Sequence, residues 1–238
     1  MRIAILGYGK MGKVIEEIAK SRGHSIVIKT DSDNPTCDIK QVDVAIDFSS
    51  PHIAFNNITM CFKNGVPVVC GTTGWLDKYD RAVEICKNHN GGFIYASNFS
   101  LGVNLFFQLN EHLAKIISKN NQYKADILDI HHKQKLDTPS GTAIKLAEGV
   151  IRYSNYKSWE LTEAENQNVK AHTIPVFAER IDDVTGTHRV RYAGETDEIY
   201  IVHKAHNRKG FALGAVIATE WLKGKTGVFS MREVLNIR

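Results

Sequence analysis

The sequence predicts an α/β chain in two parts: a parallel sheet with helices on both faces, then a second α+β domain built on a mostly antiparallel sheet. Three features carry that reading. Up to residue 99, short apolar runs alternate with segments of helical period. Past residue 123 the runs are longer, β-prone and closely spaced. The chain then closes on an amphipathic helix.

In the first part the strands are "RIAILG", "SIVIKTD", "VDVAIDF", "VPVVCGTT" and "GGFIYAS". The helices between them are "KVIEEIAKSRG", "HIAFNNITMCFKNG" and "YDRAVEICKNHNG", with glycine stops. Such a βαβαβ series pairs its strands in parallel, because each helix is the crossover that returns the chain to the same end of the sheet. In the second part the strands are "ADILDIHH", "AHTIPVFAERI", "GTHRVRYAG" and "DEIYIVHKA", with one helix near 140–152. Polar turns between the last three predict antiparallel neighbours. The segment "FALGAVIATEWLKG" is the closing helix. The expected domains are 1–99 plus 208–238, and 100–207.

A chain of 238 residues with 43% hydrophobic content can bury one large core or two modest ones. Lys and Arg exceed Asp and Glu by 30 to 26 and are scattered, not gathered into the basic stripes of a nucleic-acid binder. No nucleic-acid partner is expected. Cys37, Cys61, Cys70 and Cys86 never reach CxxC spacing, and "MRIAILGYG" is too soon interrupted to be a signal peptide. No apolar run approaches the roughly 20 residues that span a bilayer. A soluble, cytoplasmic protein without a membrane partner is expected.

The motif Gly7-Tyr8-Gly9-Lys10-Met11-Gly12 directly follows a strand and opens a helix. Gly7 allows the tight turn, Gly9 lets backbone approach a pyrophosphate, and Gly12 permits close packing, while the helix N-terminus offers N–H groups to the anion. Asp31 ends the second strand, where a carboxylate accepts hydrogen bonds from ribose hydroxyls. In this context the motif points to dinucleotide binding on a Rossmann-type sheet; a lone glycine turn is the plainer alternative. Ligands of such sheets lie beyond the carboxyl ends of the strands, and there the chain has "DFSS", "GTTG" and "ASNF". Singly, each is an ordinary turn or helix cap, as Ser49 and Ser50 are before Pro51.

The stretch "DIHHKQKLDTPSGTA" lies between a strand and a helix start. Successive strand residues point to opposite faces, so His131 and His132 do not form a chelating pair, and no nearby Cys or carboxylate completes a zinc set. No metal is expected. Histidine exchanges protons near neutral pH, Lys135 can hold a carboxylate or protonate a nitrogen anion, and the backbone at Gly141 and Thr142 offers a second anion cradle. A substrate with two carboxylates suits the loop. The residues alone leave open whether it is catalytic or merely a strand end and a helix start.

The loop "HHKQKLDTPSGTA" resembles the substrate loop of the 4-hydroxy-tetrahydrodipicolinate (dihydrodipicolinate) reductase family, with every fixed position matched. "DFSSP", "GTTG", "SNFSLGVN", "HKAHNR", "FALGAV" and "TGVFSMREVL" extend the resemblance over nearly the whole chain. It implies reduction of a cyclic imine dicarboxylate by a nicotinamide cofactor, on the diaminopimelate route to lysine. It also implies His131 as proton donor or acceptor, Lys135 as a second donor, and His132, Gly141 and Thr142 as substrate contacts. Gly7, Tyr8, Gly9, Lys10, Met11, Gly12, Asp31, Gly71, Thr72, Thr73, Ala96, Ser97, Asn98 and Phe99 would hold the cofactor. The family's homotetramer, formed through the second sheet, is implied as well.

Two departures bear on the cofactor. The segment Ser32–Gln41 and the glycine loop are short for the family, and Ser32 stands where a basic residue often follows the ribose-binding acid. Asp31 and Asp33 favour NADH, while Lys10 or Lys29 could meet the extra phosphate of NADPH; use of both with NADH favoured is the expectation. Two rivals are a semialdehyde dehydrogenase using Cys70 as nucleophile and a dinucleotide sensor without catalysis. The second would not need the histidine–lysine loop.

Overall fold

The structure, a computed structural model, describes residues 1–31, 38–120, 122–164 and 169–236. These form two compact units, Met1–Leu101 with Arg208–Arg238, and Gly102–Asn207. In the first unit β1 (Arg2–Leu6) buries all but its first residue, as a strand covered on both faces must. Ile3 and Ile5 face one hydrophobic cluster, with Ile46, Ile94 and Phe99; Ala4 and Leu6 face the other, with Phe62, Trp75 and Phe93. Each buried Ile or Leu side chain contributes about 1.5–3 kcal/mol.

Helix α1 (Lys10–Ser21) buries Gly12, Ile15, Glu16 and Ala19, the single face that helical spacing predicts. Strands β2 (Ser25–Thr30) and β3 (Val44–Asp47) flank β1 in parallel. Helix α2 (Pro51–Lys63) starts on Pro51, whose missing N–H costs nothing at a first helical position. Then follow β4 (Val68–Cys70), α3 (Tyr79–Asn88) and β5 (Gly92–Tyr95).

Residues 101–117, given no element by pattern, form α4 (Leu101–Ile117), which buries Val103, Phe106, Phe107, Asn110, Ala114 and Ile117. The second unit continues with β6 (Lys124–His131), α5 (Gly141–Tyr153), β7 (Ser158–Thr162), β8 (Thr173–Arg180), β9 (Gly186–Ala193) and β10 (Glu198–Ala205). The sheet order is β10-β9-β6-β8-β7. β9 runs antiparallel to β6 and β10, but β8 is parallel to β6 and β7 is parallel to β8, so the sheet is mixed. The physical reason is α5, a helical crossover between β6 and the β7–β8 pair that brings the chain back in the same direction.

The closing segment returns to the first unit. Helix α6 (Lys209–Leu222) ties to α1 through Glu220, whose two oxygens each lie 2.8 Å from the Arg22 guanidinium. Strand β11 (Gly227–Phe229), another element without a sequence signal, and α7 (Met231–Val234) end the described chain. The first sheet is parallel throughout, in order β11-β5-β4-β3-β1-β2.

Candidate active site

The glycine loop joins β1 to α1. Gly7 holds φ +97°, and a Cβ there would stand 2.3 Å from the Phe48 carbonyl oxygen, so no side chain is tolerated. The N–H groups of Gly7 and Tyr8 donate to the Thr30 carbonyl at 3.0 and 2.7 Å. That bond fastens the loop to the end of β2, and exposed Asp31 is the next residue. A Cβ on Gly12 would lie 2.7 Å from the Gly7 carbonyl oxygen, so this glycine closes the helix onto the loop. Gly9, by contrast, has open space where its side chain would be, and no side chain caps the start of α1. Bare backbone and an uncapped helix N-terminus fit a pyrophosphate.

Tyr8 donates its hydroxyl to Glu16, and the Lys29 ammonium lies 2.7 Å from the same carboxylate. Lys20 adds a contact at 2.8 Å. Hydrogen bonds from Lys20, Lys29 and Tyr8 lower the Glu16 carboxyl to about 2. Lys29 is therefore committed to Glu16, whereas exposed Lys10 makes no ion pair among the described residues. Met11 is half-buried against the core. Ser32, Asp33 and Cys37 lie outside the described residues.

The other strand ends converge on Asp47 at the end of β3. This buried carboxylate accepts from the Ser49 hydroxyl at 3.0 Å, the Asn57 amide at 2.8 Å and the Thr72 hydroxyl at 2.5 Å. Burial nevertheless pushes its pKa up, since its hydrogen bonds offset only part of the desolvation. The Thr72 hydroxyl also accepts the Ser49 N–H at 2.8 Å, so its side chain braces two loops and leaves only its backbone to a ligand. Thr73 is exposed and Gly71 half-buried. Ala96, Ser97 and Asn98 line the end of β5, and the Asn98 side chain accepts the Ser100 N–H at 2.9 Å ahead of α4. Phe99 turns inward at 2% exposure, so its side chain belongs to the core. Cys70 is fully buried beside Asp47, and burial and that carboxylate push its thiol up; a thiolate nucleophile is disfavoured here.

The titratable loop leaves the end of β6. His131 is the last residue of that strand and is buried; His132 is half-buried, with Nδ1 lacking a partner among the described residues. Lys135 lies 2.7 Å from the Asp137 carboxylate and is 23% exposed. The loop is held by Arg180 at the end of β8, which donates to the Asp137 carbonyl at 2.7 Å and the Thr138 hydroxyl at 2.9 Å. Ser140 caps α5, its hydroxyl accepting the Ala143 N–H at 3.2 Å. Gly141 is exposed with nothing where a side chain would stand, so its backbone is approachable; Thr142 follows, half-buried.

Two residues that pattern reading passed over complete the cluster. Asp129, two positions before His131 on the same face of β6, is fully buried, which corrects the expectation that no carboxylate stands near. Its Oδ1 lies 3.0 Å from His131 Nε2 and 3.2 Å from His188 Nε2, and accepts the Ser140 hydroxyl at 2.7 Å. Its Oδ2 accepts the Ser140 N–H at 2.9 Å. Burial alone would raise this carboxyl, but the bonds from His131, His188 and Ser140 hold it well below the usual range. His188 sits directly opposite Asp129 in the β6–β9 register, and burial lowers its pKa despite the carboxylate. These three residues are a potential metal donor set. The signals were the i−2 position of Asp129 and the alternation of β9, which puts Gly186, His188, Val190 and Tyr192 on the buried face.

Comparison with known proteins gives one family. Residues 1–99 match the family model described as dihydrodipicolinate reductase, N-terminus, and residues 102–235 match its C-terminus counterpart. A curated 4-hydroxy-tetrahydrodipicolinate reductase from Christiangramia forsetii is 54% identical, over 99% of this chain and 98% of its own. The protein of that name from Neisseria meningitidis serogroup C is 31% identical, over 100% and 98%. Among solved structures, a dipicolinate-bound dihydrodipicolinate reductase from Paenisporosarcina sp. TG-14 shares the fold, with a TM-score of 0.77 at 23% identity, covering 100% of this chain and 99% of that one.

Proposed function

The chain belongs to the dihydrodipicolinate reductase family, and on that premise we propose how its residues carry out the family's reaction. It reduces 4-hydroxy-tetrahydrodipicolinate to tetrahydrodipicolinate, the 4-hydroxyl leaving as water, on the diaminopimelate route to lysine. The observation that carries the site assignment is the convergence, within one unit, of His131, Lys135 and the approachable start of α5 at Gly141.

A reduced nicotinamide, when bound, supplies the hydride. Gly7 to Gly12 would cradle its pyrophosphate, Asp31 its ribose, and Gly71 to Thr73 with Ala96 to Phe99 the remainder. Gly141 and Thr142 receive one substrate carboxylate at the positive end of α5, and His132 a second polar contact. As negative charge develops on the ring nitrogen, the Lys135 ammonium and the His131 imidazole stabilise it, and one of them delivers the proton. Arg180 keeps Lys135 in place by pinning the backbone and hydroxyl of the adjacent Asp137–Thr138 segment.

NADH and NADPH both serve, with NADH favoured through Asp31. No helix among the described residues is long and apolar enough to cross a membrane, in keeping with a cytoplasmic enzyme. A homotetramer assembled through the second sheet would cover Tyr200 and Val202, which are 47% and 57% exposed on the edge strand β10. The test of the site is pyridine-2,6-dicarboxylate, a planar dicarboxylate. It should compete with substrate for the cofactor-loaded enzyme, and non-competitive behaviour would count against the anion cradle.

A further inference from the structure

The loop chemistry uses His131 and Lys135 but leaves the buried Asp129–His188 pair without a role. We propose that Asp129, with His188 as its second donor, is a positioning residue that fixes the proton of His131 on Nε2 and leaves Nδ1 as the atom that exchanges a proton with the substrate. This rests on the assignment of His131 as the acid–base group.

Asp129 is fully buried and meets only donors: two imidazole Nε2 atoms and the Ser140 hydroxyl at Oδ1, the Ser140 N–H at Oδ2, and the Arg180 guanidinium 3.6 Å from Oδ2. An ionised carboxylate accepts and cannot donate, and His131 Nε2 lies nearer to Oδ1, at 3.0 Å, than to the neighbouring His188 Nε2, at 3.2 Å, so the geometry places the His131 hydrogen on Nε2, toward the carboxylate. His188 bears this out from its other side. Its Nδ1 is buried with no partner among the described residues, so a neutral ring there keeps its one hydrogen on Nε2, toward Asp129. A metal ion bound at His188 Nε2 would instead force a hydrogen onto that orphaned Nδ1 and leave a buried donor unpaired among the described residues. The donor set is thus better satisfied by protons than by a metal.

With Nε2 occupied, Nδ1 is the remaining nitrogen of His131, and the space beside it is kept clear by Gly186. A Cβ on Gly186 would stand 2.9 Å from His131 Cε1 and 3.3 Å from Nδ1. The same carboxylate anchors Ser140, the cap of α5, so a single buried charge aligns the acid–base group and the start of the anion cradle.

The test combines tautomer and turnover. Long-range ¹H–¹⁵N correlation spectra of the labelled protein, with His131 assigned by its disappearance in His131→Gln, should show the hydrogen on Nε2 at a pH where the ring is neutral. Asp129→Asn should lose that preference and lower kcat by about 10²-fold, the scale of a positioned acid–base group. If Asp129→Asn fails to fold, the wild-type tautomer still decides, and Gly186→Ala should disturb the His131 ring signals without touching the carboxylate. A neutral His131 protonated on Nδ1 would overturn the proposal, as would an Asp129→Asn enzyme with unchanged tautomer and kcat, or one zinc per chain that is lost in His188→Asn. A wild-type protein that shows the Nε2 hydrogen but no reductase activity would sink the assigned reaction, not the positioning.

Discussion

Lys135 Nζ lies 2.7 Å from Oδ1 of Asp137, two residues along the same loop, so the proposed proton donor is held by its own neighbour while remaining 23% exposed. The pair places a cation at the loop that follows His131. Replacing His131 by Gln or Lys135 by Met should each reduce kcat by roughly 10²-fold or more, with folding intact. Near-normal turnover at neutral pH in either variant removes that residue from the chemistry.

Adding bulk at Gly141 should be structurally harmless, because nothing occupies the space its side chain would fill. Gly141→Val should nevertheless abolish calorimetric binding of pyridine-2,6-dicarboxylate and leave cofactor affinity unchanged. Retained dicarboxylate binding would show that the start of α5 is not the anion cradle.

The proposed cofactor preference rests on Asp31, which follows the residue that holds the glycine loop. With Lys29 engaged by Glu16, Lys10 is the lysine left to meet a 2′-phosphate. Asp31→Ala should shift the ratio of catalytic efficiencies toward NADPH by roughly 10-fold, about 1.4 kcal/mol. An unchanged ratio would mean that Asp31 does not face the ribose.

Glu16 gives a pH signature. Its folded pKa is depressed from 4.5 to about 2, so the stability it supplies is present above pH 4.5 and is lost as pH falls toward 2. Glu16→Gln should therefore melt below wild type at pH 7, and the gap should close between pH 4.5 and 2. A gap that is constant with pH would show that the carboxylate's charge is not what stabilises the loop.

The exposed face of β10 offers a test of assembly. Val202→Glu should shift the sedimentation coefficient toward smaller species if the tetramer forms through this strand, and an unchanged assembly would place the interface elsewhere.

Much of this was legible in the sequence because period-2 and period-3.6 patterns are local. The glycine loop, Asp31 and the histidine–lysine loop are short contiguous motifs that stand out by residue type and spacing, although the catalytic role of the last rests on the family resemblance and not on the residues alone. Asp129 and His188 were not legible as a pair, since 58 intervening residues separate partners that only the β6–β9 register brings opposite. The parallel placement of β8 was hidden for the same reason: a strand's pattern reports its buried face and not its direction. Lys29 was readable as a cation near the end of the second strand, but its capture by Glu16 depends on how α1 packs beside β2.

The reaction itself is tested most directly by coupling the purified protein to a synthase that makes the cyclic substrate from pyruvate and aspartate semialdehyde, and following cofactor absorbance. The account predicts NADH oxidation that requires both precursors and the synthase, and that falls by about 10²-fold in His131→Gln. Cofactor absorbance that stays flat with every component present, for NADH and NADPH alike, would contradict it.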